Sequence, residues 1–169
     1  MTPFSKSTRA LAAAGLVTLL GGTAAHAGDT AATFAGAWTL VAADVIHPDG
    51  TRGHDYGAAP RGLLMIDAQG HYSLQIMGDA RLPFASGDKA TGTPAEYKAA
   101  VLGISSHFGT LTVNPQAHAL VFSIEAASYP NWDHTQQKRV YELKGNVLSY
   151  RVAPRPNGDV PVSEWRRLE

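Results

Sequence analysis

The chain has no cysteine. Disulfides and thiolate metal sites are therefore excluded, and stability has to come from a packed core. It also has no excess of charge of either sign, with 14 Lys and Arg against 14 Asp and Glu. A non-specific binder of nucleic acid or of anionic membranes would carry a basic footprint, so neither partner is expected. Past residue 22 there is no apolar run long enough to cross a bilayer. The seven histidines never fall at His-x-His or His-Glu-x-x-His spacing, so no metal and no cofactor are predicted. Phosphate loops, dinucleotide fingerprints and the Gly-x-Ser-x-Gly elbow are missing as well. Asp133-His134 near Ser128 lacks that elbow, and no catalytic residue is assigned.

The first segment has the form of an export signal. Lys6 and Arg9 make a positive start, residues 10–22 are apolar or small, and Ala25-His26-Ala27 is a small-x-small cleavage site. Cleavage is expected after Ala27, which places the protein in a periplasm or outside the cell. Losing Lys6 and Arg9 leaves 12 cations against 14 acids, a net charge of −2 on 142 residues. That length suits one domain with a real core.

Residues 28–35 are small and polar and read as a flexible lead-in. A first strand runs from Gly36 to Ile46, with Trp38, Leu40 and Ala42 sharing a face under period-2 alternation. His47-Pro48-Asp49-Gly50 is a turn. Arg61 to Asp67 and His71 to Met77 form a hairpin around Asp67-Ala68-Gln69-Gly70. A long loop over 78–92, with Pro83, Gly87 and Gly92, leads to a helix start. Thr93-Pro94-Ala95-Glu96 is a capping box, and Tyr97, Ala100, Val101 and Ile104 recur as one apolar helical face. Further strands read at 106–113, 118–126, 136–143, 147–152 and 162–168, with a turn signal about every ten residues. That spacing predicts a mainly all-β antiparallel sandwich or barrel with one short inserted α-helix.

Gly36-Ala37-Trp38 on the first strand and Trp165-Arg166-Arg167 on the last are similar to the pairing that closes lipocalins. Three other stretches are more specific. They are Arg81-Leu82-Pro83-Phe84-Ala85-Ser86-Gly87-Asp88 with Gly92-Thr93-Pro94-Ala95-Glu96-Tyr97, His107-Phe108-Gly109-Thr110, and Tyr129-Pro130-Asn131-Trp132. Their order and spacing resemble the bacterial and fungal lipocalin-like domain family over nearly the whole chain after residue 27. The resemblance implies a small up-and-down lipocalin-like β-barrel over 36–169, and no catalytic set comes with it. Relatives often carry histidine on the strand before Tyr129, where this chain has Phe122 and Ser123. Under the resemblance Trp38, Trp165 and Arg167 close the barrel, with Arg167 stacked on Trp38.

Candidate site residues follow from alternation. Gln137, Arg139, Tyr141 and Leu143 share the inward face of their strand. An interior arginine needs a partner: either Glu125 in a structural pair, or the acid group of a bound ligand. Ser73, Gln75 and Met77 form one face of their strand and Tyr72, Leu74 and Ile76 the other; either can be the interior, and the first suits a ligand cavity. Phe84, Tyr97, Tyr129 and Trp132 are placed to line an entrance. The leading expectation is a binder of a small, mainly hydrophobic or amphipathic molecule. The alternatives are an isomerase- or cyclase-type enzyme in the same cavity, and a structural module with a filled barrel.

Overall fold

The computed structural model describes residues 28–169; the export signal and its cleavage site lie outside the described residues. The hairpin at 67–70 shows how local chemistry builds the sheet. Asp67 Oδ1 accepts from the backbone N–H of Gln69 and His71 at 2.9 and 2.8 Å, holding the turn. Gly70 has φ +92°, and a Cβ there would lie 2.4 Å from the Leu111 carbonyl oxygen, so only glycine fits. The flanking strands are β3 (Arg61–Ile66) and β4 (His71–Met77).

Seven more strands complete the sheet: β1 (Gly36–Ile46), β2 (Arg52–Gly53), β5 (Ile104–Asn114), β6 (Ala119–Ala127), β7 (Gln136–Lys144), β8 (Val147–Arg151) and β9 (Val160–Arg167). From β3 to β9 each strand pairs antiparallel with the next. β1 pairs with both β3 and β9, closing an eight-strand barrel, and β2 adds a two-residue rung on β1. Among the described residues no helix is long and apolar enough to cross a membrane.

One end of the barrel has tight turns and a solid filling. Trp38, Trp165, Leu64, Leu120 and Leu148 are fully buried. Arg167 Cζ sits 4.1 Å above the Trp38 ring, as the sequence predicts. The segment 28–35 is packed into this end. It forms a helical turn, α1 (Ala31–Phe34), whose Phe34 is fully buried and edge-on to Tyr141 at 5.0 Å. Trp38 Nε1 donates to the Phe34 carbonyl at 2.9 Å, and Arg167 Nη2 donates to that of Thr33 at 2.8 Å. The lead-in therefore acts as part of the plug.

Two expectations are corrected by the strand and helix geometry. A bulge between Leu40 and Ala42 in the pairing with β9 shifts the phase of β1. Ala43 and Val45 take the inward positions after it, and Ala42 leaves the face of Trp38 and Leu40. The helix α2 spans Pro94–Leu102, so Ile104 opens β5 instead, and no α2 residue is buried. Val101 is 57% exposed. Apolar residues are spread around α2 and make no single face to dock.

What holds α2 is local. Thr93 Oγ1 accepts from the Glu96 N–H at 3.3 Å, and Glu96 Oε2 accepts from the Thr93 N–H at 2.7 Å. Glu96 Oε1 also accepts from the Ala85 N–H at 2.7 Å, tying loop to helix. Thr93→Ala is expected to weaken the helix by about 1 kcal/mol. Amide exchange across 94–102 should speed up while the urea midpoint of the barrel stays put, because no α2 side chain enters the core. A clear shift in that midpoint would make α2 part of the cooperative unit.

Candidate functional site

The opposite end of the barrel carries the long connections, 47–60, 78–103, 128–135 and 152–159, and there the interior is open. A cavity of about 290 Å³ enters the barrel. Leu74, Ile76 and Val162 give it an apolar wall, and Tyr56, Trp132 and Pro154 stand at its rim. Its floor is polar, made of His107, Gln137, Arg139 and Tyr150.

The strand pleat delivers these side chains. On β7 Arg139 is 4% exposed and Tyr141 also 4%, between outward Lys138, Val140 and Glu142. On β5 Ser105 and His107 point in, and His107 is 2% exposed. A second bulge, between Phe108 and Gly109, follows at once. Gly109 has φ +154°, and a Cβ there would come within 2.1 Å of the Ser123 carbonyl oxygen.

Arg139 is the centre of a buried cluster. Its Nη1 donates to Tyr150 Oη at 3.1 Å, and its Nη2 donates to Gln137 Oε1 and to His107 Nε2, both at 2.9 Å. The guanidinium lies against the Phe122 ring, with Cζ 4.1 Å from the centroid, and 5.0 Å from that of Tyr150. Phe122, the position that departs from the family habit, is thus the floor under the cation. A guanidinium can only donate, so His107 Nε2 is the acceptor and the imidazole is neutral. Its Nδ1–H then donates to Tyr72 Oη at 2.8 Å. Burial first, and then the charge of Arg139, push His107 down to about 3. Burial raises the Tyr72 hydroxyl above its ordinary value.

The cluster contains no carboxylate. Glu125, the candidate partner from sequence, is exposed on β6 and makes no bond to Arg139, so the structural pair does not form. The acids around the mouth are engaged elsewhere: Asp55 with Arg155 at 2.6 Å, and Asp44 with Arg52 at 2.6 Å and His54 at 2.8 Å. Arg139 Nε, fully buried, has no hydrogen-bond partner among the described residues. Such a cation is stabilised by neutral acceptors and ring faces alone, which only partly offset its desolvation. Chemically the cluster is a donor site aimed into a cavity of mixed lining, where Leu74, Ile76 and Val162 are joined by Ser105, Ser163 and the paired Asp44, Asp55 and Arg155. A histidine whose lone pair is taken by Arg139 and whose conjugate acid forms only near pH 3 is a poor base at neutral pH.

Of the residues predicted from sequence, Trp132, Gln137 and Arg139 meet at this cavity. Ser73, Gln75 and Met77 do not line it. Tyr72, Leu74 and Ile76 are the buried face of β4, because the aromatic and aliphatic set gains more from burial than the polar one. Tyr141 is interior but belongs to the plugged end, where its hydroxyl donates to Asp29 Oδ2 at 2.6 Å. Phe84 and Tyr97 pack on each other at 5.5 Å within the loop–helix insertion. Tyr129 is 47% exposed and braces Trp132 edge-on at 5.6 Å. Sequence reasoning left Tyr72 on the alternative interior face of β4 without a place in the site, and it missed His107 and Tyr150. Their strand neighbours Ser105 and Leu148 offered one signal, since each shares an inward period with the missed residue.

The comparisons with known proteins agree with this architecture. A lipocalin-like domain is matched over residues 35–167. The 4'-hydroxy-3'-methoxypropiophenone carrier protein ppsC of Aspergillus oryzae is 29% identical over 82 residues, which is 45% of this chain and 74% of that protein. No solved structure matches the chain. A family match that runs from the plug segment to the last strand, on a closed antiparallel barrel, leads to one conclusion: the chain belongs to the lipocalin-like domain family.

Proposed function

We propose that this is an exported binding protein that holds a small, mainly hydrophobic molecule with an acidic or polar head inside the barrel. The observation that carries it is Arg139, a buried cation with no carboxylate bonded to it, at the floor of an open cavity with Leu74, Ile76 and Val162 on its wall. A bound acid or strong acceptor would supply the missing partner. The similarity to a protein named as a carrier of an aryl ketone supports the binding class, since that molecule too is small and mainly hydrophobic with polar groups at its edge.

The test is native mass spectrometry on protein recovered from its own exported compartment, followed by extraction and identification of what it holds. A stoichiometric small molecule is expected, on a polypeptide that begins at Gly28. An intact residue 1–27 segment in the recovered protein would overturn export with cleavage. Arg139→Met then tests the head contact. It should fold with a stability within about 1–2 kcal/mol of wild type, because removing a buried cation relieves desolvation while its hydrogen bonds are lost. Affinity for the extracted molecule should fall about 100-fold, the scale of a lost charge-assisted bond. Unchanged affinity in the folded variant would remove Arg139 from the site.

A further inference from the structure

Arg139 has five N–H donors, and three are used, one by Tyr150, one by His107 and one by Gln137. Two of these partners are fixed. Tyr150 is 2% exposed, and His107 is 2% exposed and held by Tyr72 on its other nitrogen. Gln137 differs. It is half-buried, sits two residues from Arg139 on the same face of β7, and is the one amide in the cluster. Its Oε1 gives Nη2 a neutral acceptor, and Gln137 itself lines the cavity.

We propose that Gln137 is a placeholder for the ligand's acid group, and that the ligand is a compact aryl carboxylate. This rests on the binding reading given above and deepens it. On entry, one carboxylate oxygen takes the place of Gln137 Oε1 on Arg139, and the amide turns toward the mouth. The exchange replaces a neutral acceptor by an anionic one, which a desolvated guanidinium favours. The cavity sets the size. At about 30 Å³ for each water-sized unit, 290 Å³ holds roughly ten non-hydrogen atoms, fewer than a long-chain fatty acid has. The lining sets the shape. Trp132 at the rim meets His107 edge-on at 6.1 Å, and Tyr56 and Tyr150 present further ring surface, which suits a flat ring better than a flexible chain.

The experiment is calorimetric titration of the protein spanning residues 28–169 with four probes: 3-phenylpropanoate, its primary amide, octanoate and hexadecanoate. The acid with the ring should bind at least tenfold tighter than each of the others. Gln137→Glu places a carboxylate on Arg139 from within, so it should bind 3-phenylpropanoate at least 100-fold more weakly and melt at a higher temperature. Gln137→Ala removes the placeholder and should bind it more tightly than wild type. Tightest binding of either aliphatic acid would overturn the aryl class while leaving Arg139 as the anchor. Equal binding of acid and amide would overturn the anchor itself, and no binding of any probe at millimolar concentration would overturn both. Wild-type affinity in Gln137→Glu, or weaker binding in Gln137→Ala, would overturn the placeholder role.

Discussion

Trp38→Ala should lower the stability of the barrel by about 3–5 kcal/mol, the range for removing a large aromatic side chain from a core. The indole is fully buried and does three things at once. It fills the plugged end beside Trp165 and Leu64, it donates Nε1–H to the Phe34 carbonyl at 2.9 Å, and it carries the guanidinium of Arg167 on its face at 4.1 Å. Alanine would leave a cavity and one orphaned carbonyl, and would strip a ring face from a cation that also holds the Thr33 and Ala35 carbonyls. The readout is the urea midpoint, which should drop sharply. Trp38→Phe keeps most of the volume and should lose only about 1–2 kcal/mol with the hydrogen bond and part of the ring. An unchanged midpoint in Trp38→Ala would mean that the end is sealed by other side chains.

Mild acid should destabilise the fold nearly as much, through His107. Its folded value is about 3 and its ordinary value 6.5. Between these the unfolded chain binds a proton that the folded chain refuses, so stability is full above pH 6.5 and falls as the pH drops toward 3. The slope is about 1.4 kcal/mol per pH unit, or roughly 2–3 kcal/mol between pH 6.5 and 4.5. Carboxylates held below their usual range by partners, such as Asp159 beside His47 and Asp67 beside His71, act only lower down, as the pH falls through their own values. Urea unfolding at several pH values should show this slope, and His107→Gln should flatten it. An equal slope in that variant would place the acid sensitivity elsewhere.

Much of the fold could be read from the sequence because it is written in short-range chemistry. The Asp67–Gly70 turn, the Thr93–Glu96 capping box and the inward period of β7 each depend on neighbours a few residues apart, and each is present. Alternation says which residues share a face but not which face is inside. For β4 that choice waits on the partners across the barrel, and it went to Tyr72, Leu74 and Ile76. One extra residue resets the count, as the bulge after Leu40 does to Ala42. The site is less legible still. His107 finds Tyr72 and Arg139 at sequence separations of 35 and 32, and no local pattern records a meeting of three strands. Arg139 itself could be found, because a charge on an inward face is conspicuous, but its partners depend on closure.

Closure also has a cost in time. The first strand is completed by the last, and Arg167 reaches the Ala35 and Thr33 carbonyls across separations of 132 and 134 residues. Contacts so distant along the chain make folding slow, on the order of milliseconds to seconds, because the loop entropy is lost before the contacts repay it. A ribosome adding about 5–20 residues per second delivers β9 long after β1. Until then the plug has no lid on Trp38 and the sheet has two open edges. The barrel therefore cannot close on its own first strand until nearly the whole chain has been made.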